Sequence, residues 1–270
     1  MTSLLFEISD DVNRYLNLDE LTTLSTVSTN SLFRGLNNME YYRFVPYKNG
    51  EEISMKFEND EKVKLSDIKA SSNLNISNYR GETPLLFAAR RNNTEIPKLL
   101  IKEGADVNFL NRNGLTPLLR AVEKNNTEIA KLLIKKGADV NLADDDGWTP
   151  LHGAVDKNDT EIAKLLIKEG AYVNATDEAG ETPLYWAIET NNTEMVELLI
   201  NEGADVNIVY YHGRISLHIA AYNNNTEIAK LLINEGANVN VADNDGRAPL
   251  NLVAYNNTAM IELLEKADAH

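Results

Sequence analysis

The stretch TPLLFAARRNNTEIPKLLIKEGADVN, residues 83–108, holds the local rules from which the fold follows. The Thr83 hydroxyl can accept a hydrogen bond from a helix start, and Pro84 suits the first helical position, where its missing N–H is not needed. The small pair Ala88 and Ala89 lets a neighbouring helix approach closely, and Asn92 tolerates the left-handed backbone that ends a helix. Asn93 or Thr94 then opens a second helix. On it Ile96, Leu99, Leu100 and Ile101 share an apolar face, Lys98 and Lys102 stay in water, and Gly104 stops it. Such a pair has too little apolar surface to fold alone, so it must stack on similar pairs.

The copies are present. TPLL at Thr83 and Thr116, TPLH at Thr149, TPLY at Thr182, ISLH at Ile215 and APLN at Ala248 recur every 33 residues, which makes six units. IKEGADVN and its variants keep the same phase, ending at Asn108, Asn141, Asn174, Asn207 and Asn240. Two phase-locked motifs mark a repeat architecture. Gly81, Gly114, Gly147, Gly180, Gly213 and Gly246 sit where a tight turn needs positive φ. Leu165, in the second helix of the third unit, reads as a core position. Three departures stand out: Ile215-Ser216 replaces Thr-Pro in the fifth unit, Pro97 replaces an aliphatic residue in the first, and the last unit is a residue short.

Bulk properties exclude several classes. A chain of 270 residues with 43% hydrophobic and 25% charged residues can bury a real core. It has no cysteine, which removes disulfides and thiolate chemistry and fits a reducing compartment. No run reaches the roughly 20 apolar residues that span a bilayer, and MTSLLFEISDD turns acidic too early for a secretory signal. The net charge of −15 repels phosphate backbones and anionic lipid, so neither nucleic acid nor membrane is expected as a partner. Four histidines without carboxylates at ligand spacing argue against a metal site, and no cofactor is expected. Phosphate-binding, dinucleotide, nucleophile-elbow and zinc-protease motifs are missing, so no enzyme is expected. Glu95, Glu128, Glu161, Glu194 and Glu227 recur as favourable first-turn charges, and the N-x-T sequons at Asn92 and Asn191 recur as caps.

The combination D-x-x-G-x-T-P-L-H with L-L-x-x-G-A-D-V-N resembles the ankyrin repeat. The resemblance implies an all-α ankyrin-repeat solenoid, helix pairs with β-turn tips, whose usual task is binding proteins. It also implies that His152 and His218 are structural hydrogen-bonding residues. Six repeats occupy 78–270, the last a C-terminal cap. Residues 45–77 form a connector: SNLNIS at 72–77 is in register with ADVN and reads as a degenerate N-terminal cap, and Asn49-Gly50 between alternating apolar residues reads as a β-hairpin.

Residues 1–44 do not repeat. Leu4, Ile8, Val12, Leu16, Leu21 and Leu24 are spaced for short helices broken at Asn17-Leu18-Asp19. The spacing resembles the F-box, a three-helix module that binds a Skp-type adaptor of a cullin ubiquitin ligase. Leu4 matches the start of that pattern and Leu5 stands where the family has proline. Ile8 and Val12 match its aliphatic positions, Leu16, Leu18 and Leu21 its central segment, and Val27-Ser28 its third helix. Ser31 replaces the usual aromatic, Phe33 lies two residues on, and MEYYRF at 39–44 is similar to the run that follows the family's module. The resemblance implies that Leu4, Leu5, Ile8, Val12, Leu16, Leu18, Leu21, Leu24 and Val27 bind the adaptor. The other reading is an N-terminal cap of the solenoid.

In ankyrin arrays the turn tips and first helices line a concave face that holds the target. There this sequence has Arg80, Arg90 and Arg91 early, then Trp148, Tyr185, Trp186, Tyr211, His212, Tyr222 and Tyr255. Trp, Tyr and Arg dominate interface energies, so a target protein is expected across units three to six. Trp186 is open between contact and packing, whereas equivalents of Trp148, Tyr211 and Tyr222 are polar or charged, as in Glu82, Arg112 and Arg90. The reading is a ubiquitin-ligase adaptor, monomeric apart from its partners, in the cytoplasm. Joining these two modules resembles secreted effectors of intracellular bacteria, which would place it in host cytosol. The alternative is an ankyrin scaffold or inhibitor that recruits no ligase.

Overall fold

A computed structural model describes residues 43–44, 47–48, 51–52, 55–56, 74–75, 77, 81–91 and 94–269. The chain divides into two compact units, Met1–Arg112 and Asn113–His270. The residues assigned above to adaptor binding, and Arg80, lie outside the described residues.

In the first unit four short strands, β1 (Arg43–Phe44), β2 (Tyr47–Lys48), β3 (Glu51–Glu52) and β4 (Met55–Lys56), pair antiparallel, β1 with β4 and β2 with β3. Lys48 stands opposite Glu51. Helices α1 (Pro84–Ala89) and α2 (Glu95–Lys102) follow. Thr83 Oγ1 accepts from Leu86 N–H at 3.3 Å, and every residue of α1 is buried. On α2 only Pro97 and Leu100 are buried, while Ile96, Leu99 and Ile101 are half-buried, so the inward stripe is narrower than the sequence suggests. Pro97 is tolerated because it is the third helical residue, where the N–H has no intrahelical partner to lose. Upstream, Asn75 Oδ1 accepts from Asp106 N–H at 2.8 Å.

The second unit repeats one pair: α3 (Pro117–Glu123) with α4 (Thr127–Lys135), α5 (Pro150–Asp156) with α6 (Thr160–Lys168), α7 (Pro183–Glu189) with α8 (Thr193–Asn201), and α9 (Ser216–Tyr222) with α10 (Thr226–Asn234). In the last repeat a 3-10 turn, Pro249–Leu252, takes the place of the first helix, and α11 (Thr258–Asp268) is the second. First helices stack α3 on α5, α5 on α7 and α7 on α9, and α9 packs on the 3-10 turn. Second helices stack α4 on α6, α8 on α10 and α10 on α11. Leu151, Leu166, Leu184, Leu199, Leu217 and Leu232 are sealed in these layers, each burial stabilising by about 1.5–3 kcal/mol. Leu165 is only half-buried and Leu166 holds the core position instead, which corrects the sequence reading by one residue.

Local chemistry sets the joints. Thr116, Thr149 and Thr182 cap the first helices through their hydroxyls. Asn126, Asp159, Asn192, Asn225 and Asn257 cap the second helices of the second unit, whereas at α2, where the sequence left Asn93 or Thr94 open, the N-cap is Thr94 without a side-chain cap bond. The residues just before four of these caps, Asn125, Asn158, Asn191 and Asn224, are left-handed at φ 53, 54, 59 and 56°. At the tips, a Cβ on Gly114 would fall 2.8 Å from Asp144 Cα, which only glycine avoids. Between repeats Asn141, Asn174 and Asn207 each accept from a backbone N–H of the next unit at 2.8–2.9 Å, the bond Asn75 makes to Asp106 in the first unit.

Candidate partner-binding surface

The tips are closed by their aspartates. Asp144 Oδ1 accepts from Asp146 and Trp148 N–H at 3.1 and 2.9 Å, and Asp177 Oδ1 accepts from Ala179 and Glu181 N–H at 2.9 Å each. These bonds fix where Trp148 and Glu181 stand. Burial pushes the Asp144 carboxyl up, with the charges of Asp146 and Asp145 adding to it. Asp243 closes the last tip through Asp245 and Arg247 N–H, and also binds Arg214 Nε at 3.3 Å and Arg247 Nη2 at 3.1 Å. Burial would raise its pKa, yet these donors together hold the carboxyl well below the usual range.

The two buried histidines tie neighbouring units together. His152 Nδ1 accepts from Thr149 N–H at 3.2 Å and Nε2 donates to Glu181 O at 3.1 Å. His218 does the same between Ile215 N–H at 3.2 Å and Arg247 O at 3.1 Å. Both rings are neutral with the proton on Nε2, and burial lowers both pKa values. Their structural role is as the sequence implies.

Aromatic rings run across three repeats. Trp148 meets Trp186 edge-on at 5.0 Å between centroids, Trp186 meets Tyr185 at 5.6 Å, and Tyr185 meets Tyr210 at 5.1 Å. Trp148 also lies 5.2 Å from the His152 ring. The Trp186 indole N–H is shielded from solvent and has no acceptor among the described residues. Burial first, then the charges of Glu181 and Glu189, push the Tyr185 phenol far above its ordinary value. Burial and the Asp177 charge raise Glu181.

Tyr210 was not legible as a site residue. It stands where other units have Asp144, Asp177 and Asp243, is 4% exposed, and bonds Ser216 Oγ at 2.7 Å and Thr182 Oγ1 at 3.3 Å. The signal was a paired departure: the fifth unit alone has neither Asp nor Asn at this position, where units one and two carry Asn78 and Asn111, and it alone has lost the helix-start proline, in Ile215-Ser216. Its tip is a 3-10 turn, Tyr211–Gly213, with His212 left-handed at φ 65° and the Tyr211 and His212 rings 4.2 Å apart.

Of the expected target-binding residues, the structure brings together Trp148, Trp186 and Tyr185, and separately Tyr211 and His212. Tyr211, Tyr222 and Tyr255 are 69%, 64% and 101% exposed. Arg90 and Arg91, in the first unit, are half-buried with Cζ 4.0 and 5.1 Å from the Phe87 ring centre. An open depression of about 440 Å³ is lined by Glu123, Asp144, Asp146, Trp148, Gly153 and Asp156. Lys124 and Lys157 also reach it, Lys157 at 2.7 Å from Asp156. At the position of Gly153 the other units carry Phe87, Arg120, Trp186, Ile219 and Leu252. A glycine inside a helix costs about 0.5–1 kcal/mol relative to alanine. Here a Cβ would meet Val122 Cγ1 at 3.0 Å and Trp148 Nε1 at 3.5 Å, so the missing side chain leaves room for both neighbours and opens the floor of the depression.

Comparison with known proteins agrees with the repeat. A family model for ankyrin repeats matches residues 53–144, 140–210 and 211–270. The crystal structure of the ankyrin repeat domain of Bcl-3, a unique member of the IkappaB protein family, is similar at 30% sequence identity with a TM-score of 0.64, over 72% of this chain and 86% of that one. No curated protein matched.

Proposed function

The chain belongs to the ankyrin-repeat family, and from that premise we propose that it is an adaptor whose array holds a target protein while residues 1–44 dock a Skp-type subunit of a cullin ubiquitin ligase. Ankyrin repeats are typically non-catalytic protein-binding domains. The observation that carries target binding is the exposure of Tyr211, Tyr222 and Tyr255 on the tip and first-helix segments of units five and six. Large amphipathic rings in water have no core to fill and match the residue types that anchor interfaces. The docking half rests on the F-box resemblance of residues 1–44. In this reading ubiquitin is transferred by other subunits, in the cytoplasm.

Two measurements test the halves separately. Purified Skp-type adaptor should bind the full chain, and Leu16→Asp with Leu21→Asp should abolish that binding while circular dichroism stays unchanged; equal binding by the double variant removes the docking assignment. For the target half, proteins captured by the wild type from cytosol should be released by the triple Tyr211→Ala, Tyr222→Ala, Tyr255→Ala variant. Retention of the same set by that variant would show that these rings are not the contact.

A second reading has its own support. The family match begins at residue 53, ahead of the first full repeat, and Asn75 makes the inter-repeat bond to Asp106. Both favour the segment before residue 78 acting as a cap, which would leave an ankyrin scaffold or inhibitor. Adaptor binding by the isolated full chain decides between the two.

A further inference from the structure

Charge is distributed unevenly between the two helix sets of the second unit. The second helices α4, α6, α8 and α10 carry five glutamates and five lysines. Lys131 meets Glu161 of the next repeat at 2.7 Å and Lys164 meets Glu194 at 3.9 Å. The tips and first helices of units three and four, residues 144–157 and 177–190, carry eight carboxylates and one lysine. Asp145, Asp146, Glu178 and Glu189 among them are exposed. The depression at Gly153 lies at one end of this region and is lined by Trp148, Asp146 and Asp156 together with Lys124 and Lys157. The ring series from Trp148 through Trp186 to Tyr185 continues from it.

Accepting that the array binds proteins, we propose that this depression takes a lysine- or arginine-bearing extended segment of the partner, with one cationic side chain against the Trp148 ring and between the carboxylates of Asp146 and Asp156. The Trp148 ring and the Asp146 carboxylate, which has no ion pair among the described residues, are complementary to an ammonium or guanidinium group, and at Asp156 that group competes with Lys157, 2.7 Å away. An acidic or purely apolar segment would gain neither. The net charge of −15 attracts cations everywhere on the molecule, so site and bulk field must be separated by experiment.

A fluorescein-labelled peptide of alternating arginine and glycine, and its glutamate-for-arginine counterpart, titrated against the full chain at physiological ionic strength by fluorescence anisotropy, provide the probe. The arginine peptide should bind and the glutamate peptide should not. Asp146→Asn with Asp156→Asn should weaken binding about ten-fold, and Trp148→Leu about five-fold. The control Glu194→Gln with Glu197→Gln removes the same charge from α8 and should change binding less than about two-fold. Equal weakening by the two charge variants, or no effect of Trp148→Leu in a protein with unchanged circular dichroism, overturns the site and leaves only bulk attraction. No binding of the arginine peptide overturns it too. If the peptide fails while captured proteins still depend on Tyr211, Tyr222 and Tyr255, this inference falls and the protein-binding reading stands; if those three tyrosines are dispensable, that reading falls on its own test.

Discussion

Replacing Tyr210 by Phe removes one oxygen from a buried site and leaves the ring where it is. That oxygen is 2.7 Å from Ser216 Oγ and 3.3 Å from Thr182 Oγ1, on a residue 4% exposed, and Ser216 is itself fully buried. Thr182 keeps its other bond, accepting from Tyr185 N–H at 3.3 Å, so it loses little. Ser216, cut off from solvent, loses its bond to the phenol. A buried hydroxyl stripped of its partner costs about 1–3 kcal/mol, so Tyr210→Phe should destabilise the fifth unit by about 1–2 kcal/mol. Removing the serine hydroxyl as well, in Tyr210→Phe with Ser216→Ala, takes both polar groups out together and should recover much of that loss. Hydrogen exchange of the amides in α7 and α9 reads the effect locally, and urea denaturation followed by circular dichroism reads it globally. A double variant less stable than the sum of the two singles, or a Tyr210→Phe variant within about 0.3 kcal/mol of wild type, would refute the claim that the bond from this phenol to Ser216 holds the fifth unit.

Two further outcomes follow from the packing. Leu166→Ala should cost about 2–5 kcal/mol and loosen α5 and α6 most, with protection recovering along the stack, whereas Leu165→Ala should cost less; a uniform loss of hydrogen-exchange protection across the array would contradict nearest-neighbour stacking. Stability should fall as pH drops below about 6.5, because His152 and His218 are held neutral in the fold with lowered pKa values while the unfolded chain takes up protons there. Their contribution is complete above that pH and disappears as pH falls through the lowered folded-state values. His152→Leu with His218→Leu, leucine being the residue at this position in units one and two, should flatten urea midpoints between pH 7 and pH 5; an unchanged slope would assign the acid sensitivity elsewhere.

Most of the array was legible because each joint is decided within a few residues. A hydroxyl before proline, an asparagine or aspartate before a threonine and a glycine just past the C-cap each fix one helix end without help from the rest of the chain. Burial on the second helices was less legible: in α6 the turn from Leu165 to Leu166 rotates a side chain by about 100°, and the pattern LLI satisfies either choice until the neighbouring helix is placed. Ring packing was harder still. Trp186 touches Trp148 and Tyr185 touches Tyr210 through stacking between units, so their surroundings are set by residues a whole repeat away.

The fifth unit shows how such distant dependence can still leave a trace in the sequence. Loss of aspartate at Tyr210 removes the side-chain bonds that close the other tips and leaves the two backbone bonds that the tips at Asp144, Asp177 and Asp243 also make, here Tyr210 N–H to Arg214 O at 2.7 Å and Gly213 N–H to Tyr210 O at 3.1 Å. In this turn His212 is left-handed and Tyr211 stands in water. The phenol, no longer needed at its own tip, reaches Ser216 and the threonine cap of the fourth unit. One substitution therefore ends the buried ring series and, at the next residue, starts the exposed one. Conversion back to the common pattern, Tyr210→Asp with Ile215→Thr and Ser216→Pro, should give a folded array whose Tyr211 is no longer held by a 3-10 turn. If Tyr211 anchors the target, that variant should lose binding without losing stability; binding retained in full by it would separate the tip geometry from recognition.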